Sequence, residues 1–403
     1  MTYSLEERRA LSDARSGTPS GGRSITHILV APDKFKGCLD AMKVATAIRS
    51  GIESGANGGS VQVKVLPLAD GGDGSVEAAV FAGSLPRTVT VQGANGQMHQ
   101  AQIAFDGRTA VVEVAGTCGL ASLHGPLRPL TASSRGLGEA VLAAARLNPE
   151  RIVVALGGSA STDGGAGMLA ALGAGFRDEQ GRHVEPSGGS LDRIAAVDFT
   201  NVFDFAGIEL IGASDVTNPL SGLNGAAHVF GPQKGADARA VSVLDHGLNA
   251  FVNACSTLPH IDALTLATAA GAGSAGGIGF GLLLLGGSLV SGADYFLDLL
   301  RFDEHAQQAD LVVTGEGRLD AQTSGGKLIS AVCARSGNTP VWAVVGRSDL
   351  DEVAARQLGL ATVLALQDLT TQDTSQDPAL ATAALQQAGR MILQALQGTG
   401  VRC

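Results

Sequence analysis

The chain has 403 residues, of which 45% are hydrophobic and 16% are charged, and its formal net charge is −10. So large an apolar share excludes a disordered chain, and the acidic balance argues against a nucleic-acid partner because it repels phosphate backbones. Five dispersed cysteines without a C-x-x-C pair exclude a disulfide framework and a cysteine zinc site, so we expect a soluble cytoplasmic protein.

The first part of the chain alternates strand and helix signals. Residues 1–24 are polar, and we expect a flexible extension there. Apolar runs predict strands at 28–31 and 61–66. A helix capped by Asp40 follows the first strand, and a helix beginning near Gly74 follows the second. This order predicts a parallel sheet with right-handed crossovers.

The middle of the chain has a different pattern. Several strands fall between residues 85 and 114, and the turn signals Asn95-Gly96 and Asp106-Gly107 predict hairpins between them. The uncharged stretch 263–293 is interrupted by glycine too often to span a membrane, so we expect a buried loop, a core helix and no membrane partner. Further patterns in this region predict a helix at 134–147 and buried strands at 151–156 and 208–213.

Past residue 310 the alternation returns, with strands predicted at 311–313, 341–345 and 362–366 and helices at 324–336 and 379–396. The simplest architecture is an α/β fold of two α/β domains. Residues 25–66 plus 293–403 are expected to form a flavodoxin-like or Rossmann-like domain with a parallel sheet. Residues 67–292 are expected to form a mixed α/β domain inserted into it. Ligands of such folds bind at the carboxyl ends of strands and often between domains.

Five of the predicted strand ends carry acidic residues, and most of them also carry glycine. A single Asp or Gly at such a position is ordinary turn chemistry, but five such ends together indicate a site. Glycine accounts for 56 residues, roughly twice the usual share, and it lets a loop backbone approach a ligand closely. The five segments are Asp33 to Gly37, Asp70 to Ser75, Gly157 to Gly165, Ser214 to Pro219 and Thr314 to Asp320.

Acids, glycine loops and a few lysines suit phosphoryl transfer. That chemistry needs backbone N–H groups for phosphates, carboxylates for Mg²⁺, a cation for the developing charge and a base for the attacking hydroxyl. The loop from Gly157 to Gly165 precedes a helical pattern and could wrap phosphates. No Walker A motif occurs, because Gly325-Gly326-Lys327 is followed by leucine and lacks the first glycine. The protein-kinase signature set is also absent.

Other enzyme classes fit the sequence less well. Gly271 to Gly276 matches the dinucleotide fingerprint G-x-G-x-x-G, which leaves an NAD(P)-dependent dehydrogenase of a small hydroxy acid as the alternative. The preceding segment, 264–270, is not a convincing strand. The sequence has no G-x-S-x-G elbow for a serine hydrolase, and its histidines are too dispersed for a His-based metal site. A non-catalytic binding module would not need so many acids at strand ends.

Seven segments, in order along the chain, together resemble the bacterial type I glycerate kinase family (glycerate 2-kinase). The resemblance implies an ATP- and Mg²⁺-dependent kinase of two domains that acts on D-glycerate and typically yields 2-phosphoglycerate. The sequence departs from the family in its polar N-terminal extension and at Leu328 to Ala331, where members often have a Pro-containing helix start. The segments are APDKFKG from Ala31, PLADGGDGS from Pro67, ALGGSASTDGGAGMLAALG from Ala155, ASDVTNPLSG from Ala213, VFGPQKGA from Val229, GAGSAGGIG from Gly271 and DLVVTGEGRLDAQTSGGK from Asp310.

On this basis we assign roles as hypotheses for a site in the cleft between the domains. Asp70 is the expected base for the glycerate hydroxyl, with Asp163 as second choice, and Asp215 and Glu316 are the expected Mg²⁺ partners. Lys36 could equally be a solvated loop lysine, an ordinary structural role is slightly favoured for Lys234 and Lys327, and the oligomeric state stays open. The other candidates are Lys36, as a catalytic and substrate-binding cation, with Arg318, Asp33, Asp73 and Asn218 for glycerate, and Gly157, Gly158, Ser159 and Lys234 for ATP.

Overall fold

The computed structural model describes residues 26–56, 61–123, 125–320 and 328–398. The extension expected at 1–24 lies outside the described residues. The chain divides into two compact units. Unit 1 comprises Met1–Ala69 and Phe296–Cys403, and unit 2 comprises Asp70–Tyr295.

The strands of the described residues are, in chain order, β1 (Thr26–Pro32), β2 (Val61–Val65), β3 (Leu85–Gln92), β4 (Met98–Phe105), β5 (Thr109–Glu113), β6 (Arg151–Ala155), β7 (Gly175–Arg177), β8 (Ala196–Asp198), β9 (Glu209–Ala213), β10 (Ser288–Val290), β11 (Leu311–Gly315), β12 (Arg318–Leu319), β13 (Val341–Val345), β14 (Arg347–Ser348) and β15 (Leu360–Ala365).

The α-helices are α1 (Ala41–Ser54), α2 (Ser75–Phe81), α3 (Val114–Cys118), α4 (Arg135–Ala145), α5 (Ala166–Ala171), α6 (Ala226–Phe230), α7 (Ala238–Cys255), α8 (Ala263–Thr268), α9 (Ser274–Leu284), α10 (Gly292–Leu299), α11 (Phe302–Gln307), α12 (Leu328–Arg335), α13 (Glu352–Gln357) and α14 (Pro378–Gly398). The first four residues of the helix predicted at 324–336 lie outside the described residues.

Unit 1 is built on a five-stranded sheet in the order β15-β13-β11-β1-β2, and every neighbouring pair is parallel. Numbered along the chain, the order is 2-1-3-4-5, which is that of the flavodoxin-like folds. The predicted α/β fold class with a parallel sheet is therefore confirmed. The order reverses between β1 and β11, so the loops after these two strands flank the crevice in which such folds bind ligands.

The core of unit 1 explains why its strands read as nearly continuous apolar runs. Ile28, Val30, Val313 and Val344 pack against α1 and α14, while all five residues of β11 are buried, as in a parallel sheet covered on both faces. Helix α1 begins as predicted, because the side chain of Asp40 accepts a hydrogen bond from the N–H of Lys43 at 2.8 Å.

Unit 2 is built on a six-stranded sheet in the order β10-β9-β6-β5-β4-β3. Strands β5, β6, β9 and β10 are parallel, and the β3–β4 and β4–β5 pairs are antiparallel. The predicted hairpins are therefore present, with Gly96 and Gly107 in the left-handed conformation that such turns require. A mixed sheet of this kind has its parallel strands grouped, so the loops after β5, β6 and β9 emerge at one edge.

Two features stand out among those of unit 2 that the sequence prediction lacks. One is the two-stranded antiparallel sheet of β7 and β8. The other is α7, an 18-residue helix capped by Asp237. Its buried residues Leu244, Leu248, Phe251 and Cys255 recur at helical spacing, so hydrophobic periodicity could have predicted it.

The uncharged stretch 263–293 contains α8, α9 and β10. Helix α9 is largely buried, and its buried residues include Phe280 and Leu282. It is the core helix expected in this stretch. None of the helices within the described residues is both long and apolar enough to cross a bilayer.

Candidate active site

Glycine packing brings the Asp70 loop against the ends of β6 and β9 in unit 2. A Cβ on Gly71 would lie 2.7 Å from the carbonyl oxygen of Ala213, and one on Gly157 would lie 2.5 Å from the Cα of Gly72. The N–H of Gly157 donates to the carbonyl oxygen of Gly71 at 2.9 Å. Side chains at these glycines would push the loops apart, so their absence sets the position of Asp70.

Asp70 and Asp215 form an acidic pair at this edge of the sheet. Asp70 Oδ1 accepts from the N–H of Gly72 at 3.1 Å. Asp215 Oδ1 accepts from Ser291 Oγ at 3.0 Å and from the N–H of Ala293 at 3.2 Å. Burial raises the pKa of Asp215 to about 6, the negative charge of Asp70 adds to the rise, and both hydrogen bonds oppose it. Asp215 therefore holds a proton more tightly than an exposed aspartate does.

The three loop residues assigned to ATP have different environments. Gly158 is exposed and left-handed, with φ +79°. The N–H of Gly157 is already used in its bond to Gly71. Ser159 is only 4% exposed, and its hydroxyl accepts from Lys234 Nζ at 2.7 Å. Gly158 is therefore the member of the three that is best placed for a phosphate.

Asp163 is fully buried at the start of α5. Its carboxylate accepts from both the N–H and the hydroxyl of Ser134, at 2.7 and 2.9 Å, and from the N–H groups of Gly165 and Gly167, each at 3.3 Å. Burial raises its pKa, while the bonds from Ser134 and Gly167 oppose the rise. With its oxygens committed to these donors, Asp163 ties the glycine loop to the start of α4.

Two of the other candidates in unit 2 lie near these loops. Asp73 is exposed between Gly72 and α2. Asn218 is tied to its surroundings at both ends, since its Nδ2 donates to the carbonyl of Asn224 at 2.8 Å and its own carbonyl accepts from Gly273 at 2.9 Å. Asp73 is thus the more accessible of the two for a substrate.

The candidates of unit 1 lie at the crevice between β1 and β11. The N–H of Asp33 donates to the carbonyl of Gly315 at 2.8 Å, which joins the two strand ends. Lys36 is exposed, and a Cβ on Gly317 would lie 3.6 Å from its backbone nitrogen. Glu316 follows Gly315 directly, and its carbonyl accepts from Gly346 at 3.1 Å. Asp33, Lys36 and Glu316 therefore come from the two loops that flank the reversal in strand order.

Arg318 lies on β12 and is largely exposed. It donates to Asp349 through Nε at 2.8 Å and is 3.8 Å from Asp320. Arg347 donates to the same Asp349 carboxylate at 2.7 Å. The two guanidinium groups lower the pKa of Asp349. Arg318 is thus already paired with carboxylates, and a substrate anion would have to compete with Asp349 for it.

Sequence reasoning did not single out two residues that hold these loops. Glu113, at the end of β5, is buried and accepts from the N–H of Val76 at 3.1 Å, so it anchors the start of α2 behind Asp70. It is an acid at a strand end, so the rule that found the other acids could have found it. Ser291 donates to Asp215 from 76 positions away, and no local pattern indicates that contact.

Magnesium fits the acidic pair of unit 2 by its chemistry. Mg²⁺ prefers oxygen ligands and usually shares them with substrate phosphates, so one or two carboxylates are sufficient. Asp70 and Asp215 supply such oxygens. The part of the chain that the structure describes contains no group of three or more His, Cys, Asp or Glu residues able to hold a metal by themselves.

The glycine segment Gly271 to Gly276 does not have the context of a dinucleotide fingerprint. It follows helix α8 instead of a strand, and its residues Ala275, Gly276 and Gly277 have left-handed backbone angles inside α9. A fingerprint of that type needs a strand before it and a regular helix after it. The dehydrogenase alternative therefore loses its only motif.

The sequence is similar to that of known glycerate kinases. The family model described as "Glycerate kinase family" matches residues 28–397. A "Glycerate kinase" of Bacillus subtilis (strain 168) is 38% identical over 84% of this chain and 90% of its own length. A "Glycerate 2-kinase" of Escherichia coli (strain K12) is 37% identical over the same shares.

A solved structure extends the similarity to three dimensions. The crystal structure of a protein from Salmonella typhimurium LT2, assigned as a glycerate kinase 2, matches with a TM-score of 0.76 and 34% identity. The match covers 93% of this chain and 99% of that one. The resemblance found in the sequence motifs is thereby confirmed, and the chain belongs to the glycerate kinase family of phosphotransferases.

Proposed function

We propose that the protein transfers the γ-phosphoryl group of ATP to D-glycerate and forms 2-phosphoglycerate. The family match supports glycerate as the acceptor, and the name of the Escherichia coli relative supports the 2-hydroxyl. The structural observation that carries the proposal is the acidic pair Asp70 and Asp215, held at the carboxyl edge of the unit 2 sheet beside the exposed Gly158.

Asp70 is proposed as the base. As the glycerate oxygen forms its bond to phosphorus, its hydroxyl proton passes to the Asp70 carboxylate, and the bond between phosphorus and the leaving oxygen of ADP breaks. Phosphoryl transfer goes through a loose transition state, so correct positioning matters more than strong basicity. The N–H of Gly72, bonded to Asp70 Oδ1, keeps the carboxylate oriented. We place Asp163 outside the chemistry, because its carboxylate is buried and fully bonded.

Asp215 and Glu316 are proposed to hold Mg²⁺. When bound, the ion would neutralise charge on the phosphates. Asp215 is prepared for this, since Ser291 and Ala293 fix its oxygens. Ligation requires the ionised carboxylate, and with a pKa near 6 Asp215 is mostly ionised at neutral pH.

The remaining groups are proposed to bind the two substrates. Gly158 would contact the ATP phosphates through its backbone. Lys36 and Arg318 would attract the glycerate carboxylate or the transferred phosphoryl group. The other substrate candidates are Asp33, Asp73 and Asn218. The expectation that loops of both units serve one reaction, in the cytoplasm, stays a prediction.

The test is an assay of the purified protein with ATP, Mg²⁺ and D-glycerate, in which ADP formation is followed and the product is identified by ³¹P and ¹H NMR. We expect ADP to form only when D-glycerate is present, together with phosphate on the 2-hydroxyl. Absence of turnover would remove the proposed function. A 3-phosphorylated product would keep the kinase and correct the position of transfer.

A further inference from the structure

Lys234 is a buried cation on the inner side of the glycine loop. It ends the short 3-10 turn Pro232–Lys234 and is only 3% exposed. Its Nζ donates to Ser159 Oγ at 2.7 Å and to the carbonyl oxygen of Ser161 at 2.5 Å. An ammonium group loses much of its hydration on burial, and the two hydrogen bonds of Lys234 to the loop offset part of that desolvation free energy.

The charge of Lys234 is linked to Asp163 through the loop itself. Ser161 accepts from Lys234 with its carbonyl and donates with its hydroxyl to Asp163 Oδ1 at 3.2 Å. Burial lowers the pKa of Lys234 to about 8, and Asp163 and the Cys118 thiol act in the opposite direction. Ser161 is thus held by hydrogen bonds to both groups, through its carbonyl to Lys234 and through its hydroxyl to Asp163.

A left-handed turn leaves room for this cation. Gly276 has φ +74°, and a Cβ on it would lie 2.8 Å from Lys234 Nζ and 2.1 Å from the carbonyl oxygen of Ser161. The carbonyl of Gly276 accepts from the N–H of Gly164 at 3.0 Å. The segment that resembled a dinucleotide fingerprint therefore closes the buried side of the glycine loop.

We propose that Lys234 is a positioning residue, which holds Ser159 and Ser161 from the buried side and thereby fixes the backbone at Gly158 for the phosphates of ATP. The ATP contact rests on the proposed function. Lys234 itself does not touch the nucleotide, since its ammonium is enclosed by the loop. This replaces its expected role as an ATP ligand.

The test compares Lys234→Met with Lys43→Met, in which the lysine removed lies exposed near the start of α1. A hydrogen bond from a charged group is worth enough to change an equilibrium about 10- to 100-fold. For Lys234→Met we expect kcat/KM for ATP to fall by about that factor, while the KM for glycerate stays within about twofold. Amide hydrogen exchange at 158–162 should become faster in Lys234→Met and stay unchanged in Lys43→Met.

Lys234→Arg, which keeps the charge and the donors, should recover part of the loss in kcat/KM for ATP. The proposal is overturned if folded Lys234→Met keeps both its exchange rates and its kcat/KM for ATP within twofold of the wild type. If Lys234→Met does not fold, the same two measurements on Lys234→Gln decide. The exchange measurement needs no turnover, so it tests the positioning even if the wild-type protein does not phosphorylate glycerate.

Discussion

The N–H of Gly157 donates to the carbonyl oxygen of Gly71 at 2.9 Å, so the first glycine of the β6 loop is bonded to the loop that carries Asp70. The contact leaves no room for a side chain, because a Cβ on Gly157 would lie 2.5 Å from the Cα of Gly72. The backbone of one proposed catalytic loop therefore determines where the other can lie.

Gly157→Ala should consequently lower both stability and activity. Relief of the clash requires backbone movement, which typically costs about 1–3 kcal/mol, and the movement displaces Asp70. Urea unfolding and kcat at saturating substrates measure the two effects. The matched control is Gly175→Ala in β7, where the nearest atom to the new Cβ is 3.6 Å away. Equal behaviour of the two variants would contradict this role for the Gly157 contact.

The pH dependence of stability should report Asp215. Burial raises its pKa from the ordinary value of 3.8 to about 6 in the folded protein, so the native state holds the proton more tightly than the unfolded chain does. The stability that this contributes is complete below about pH 4 and is lost as the pH rises through about 6. For a carboxyl group that is still partly in contact with solvent, we expect a loss of about 1–2 kcal/mol.

The measurement is the difference in unfolding free energy between the wild type and Asp215→Asn from pH 4 to pH 7, without divalent cations. As the pH rises, the wild type should lose stability relative to Asp215→Asn, because the amide of the variant does not titrate. A difference that stays constant across this range would show that Asp215 does not titrate near pH 6.

Lys234 should give the opposite pH trend in stability. Its pKa is lowered from 10.5 to about 8, so the stability linked to its neutral form is complete above about pH 10.5 and is lost as the pH falls through 8. Between pH 8 and 10.5 the wild type should gain about 2–3 kcal/mol relative to Lys234→Met. Both proteins contain Cys118 and Asp163, so the difference between them reports the removal of Lys234.

The activity of the wild type should fall over the pH interval in which its stability rises. Loss of the Lys234 charge weakens its hydrogen bonds to the glycine loop, so kcat/KM for ATP should fall as the pH rises above 8. In Lys234→Arg the charge persists, and this decline should be absent. An identical decline in both proteins would assign it to a different group.

Substitution of Ala275 by glycine should relieve backbone strain in the turn at the start of α9. Ala275 has φ 53° and ψ 33°, a left-handed conformation that costs a residue with a Cβ about 1–2 kcal/mol. Ala275→Gly should therefore stabilise the protein by about 0.5–1 kcal/mol, as measured by urea unfolding. Ala250→Gly, in the middle of α7, serves as the control and should destabilise it by about 1 kcal/mol. Destabilisation of similar size in both variants would contradict the strain at Ala275.

Local signals in the sequence predicted most of the fold. Asp40 caps α1 where the pattern placed it, and the turn signal around Gly96 joins two antiparallel strands. These features depend on a few neighbouring residues, so periodicity and turn chemistry are sufficient to find them. Helix α7 was also predictable in principle from its apolar spacing.

The orientation of side chains within the site could not be predicted in the same way. Acids at strand ends led to Asp70 and Asp215, but the strands that precede them, β2 and β9, belong to different sheets. The close packing of Gly71 against Ala213 brings the Asp70 loop to the end of β9. The burial of Ser159 and Asp163 depends on Lys234 and Ser134, which lie 75 and 29 positions away. Such long-range contacts decide whether a polar residue faces a ligand or the core, and no local pattern encodes them.

The most direct test measures 2-phosphoglycerate formation by the wild type and by Asp70→Asn at saturating ATP, Mg²⁺ and D-glycerate, with ATP binding checked by calorimetry. We predict an active wild type and an Asp70→Asn protein that is folded and binds ATP, with a kcat about 10²- to 10⁴-fold lower, as expected for loss of a general base. A wild type that forms no phosphoglycerate, or an Asp70→Asn protein with near-normal kcat, would contradict the proposed chemistry.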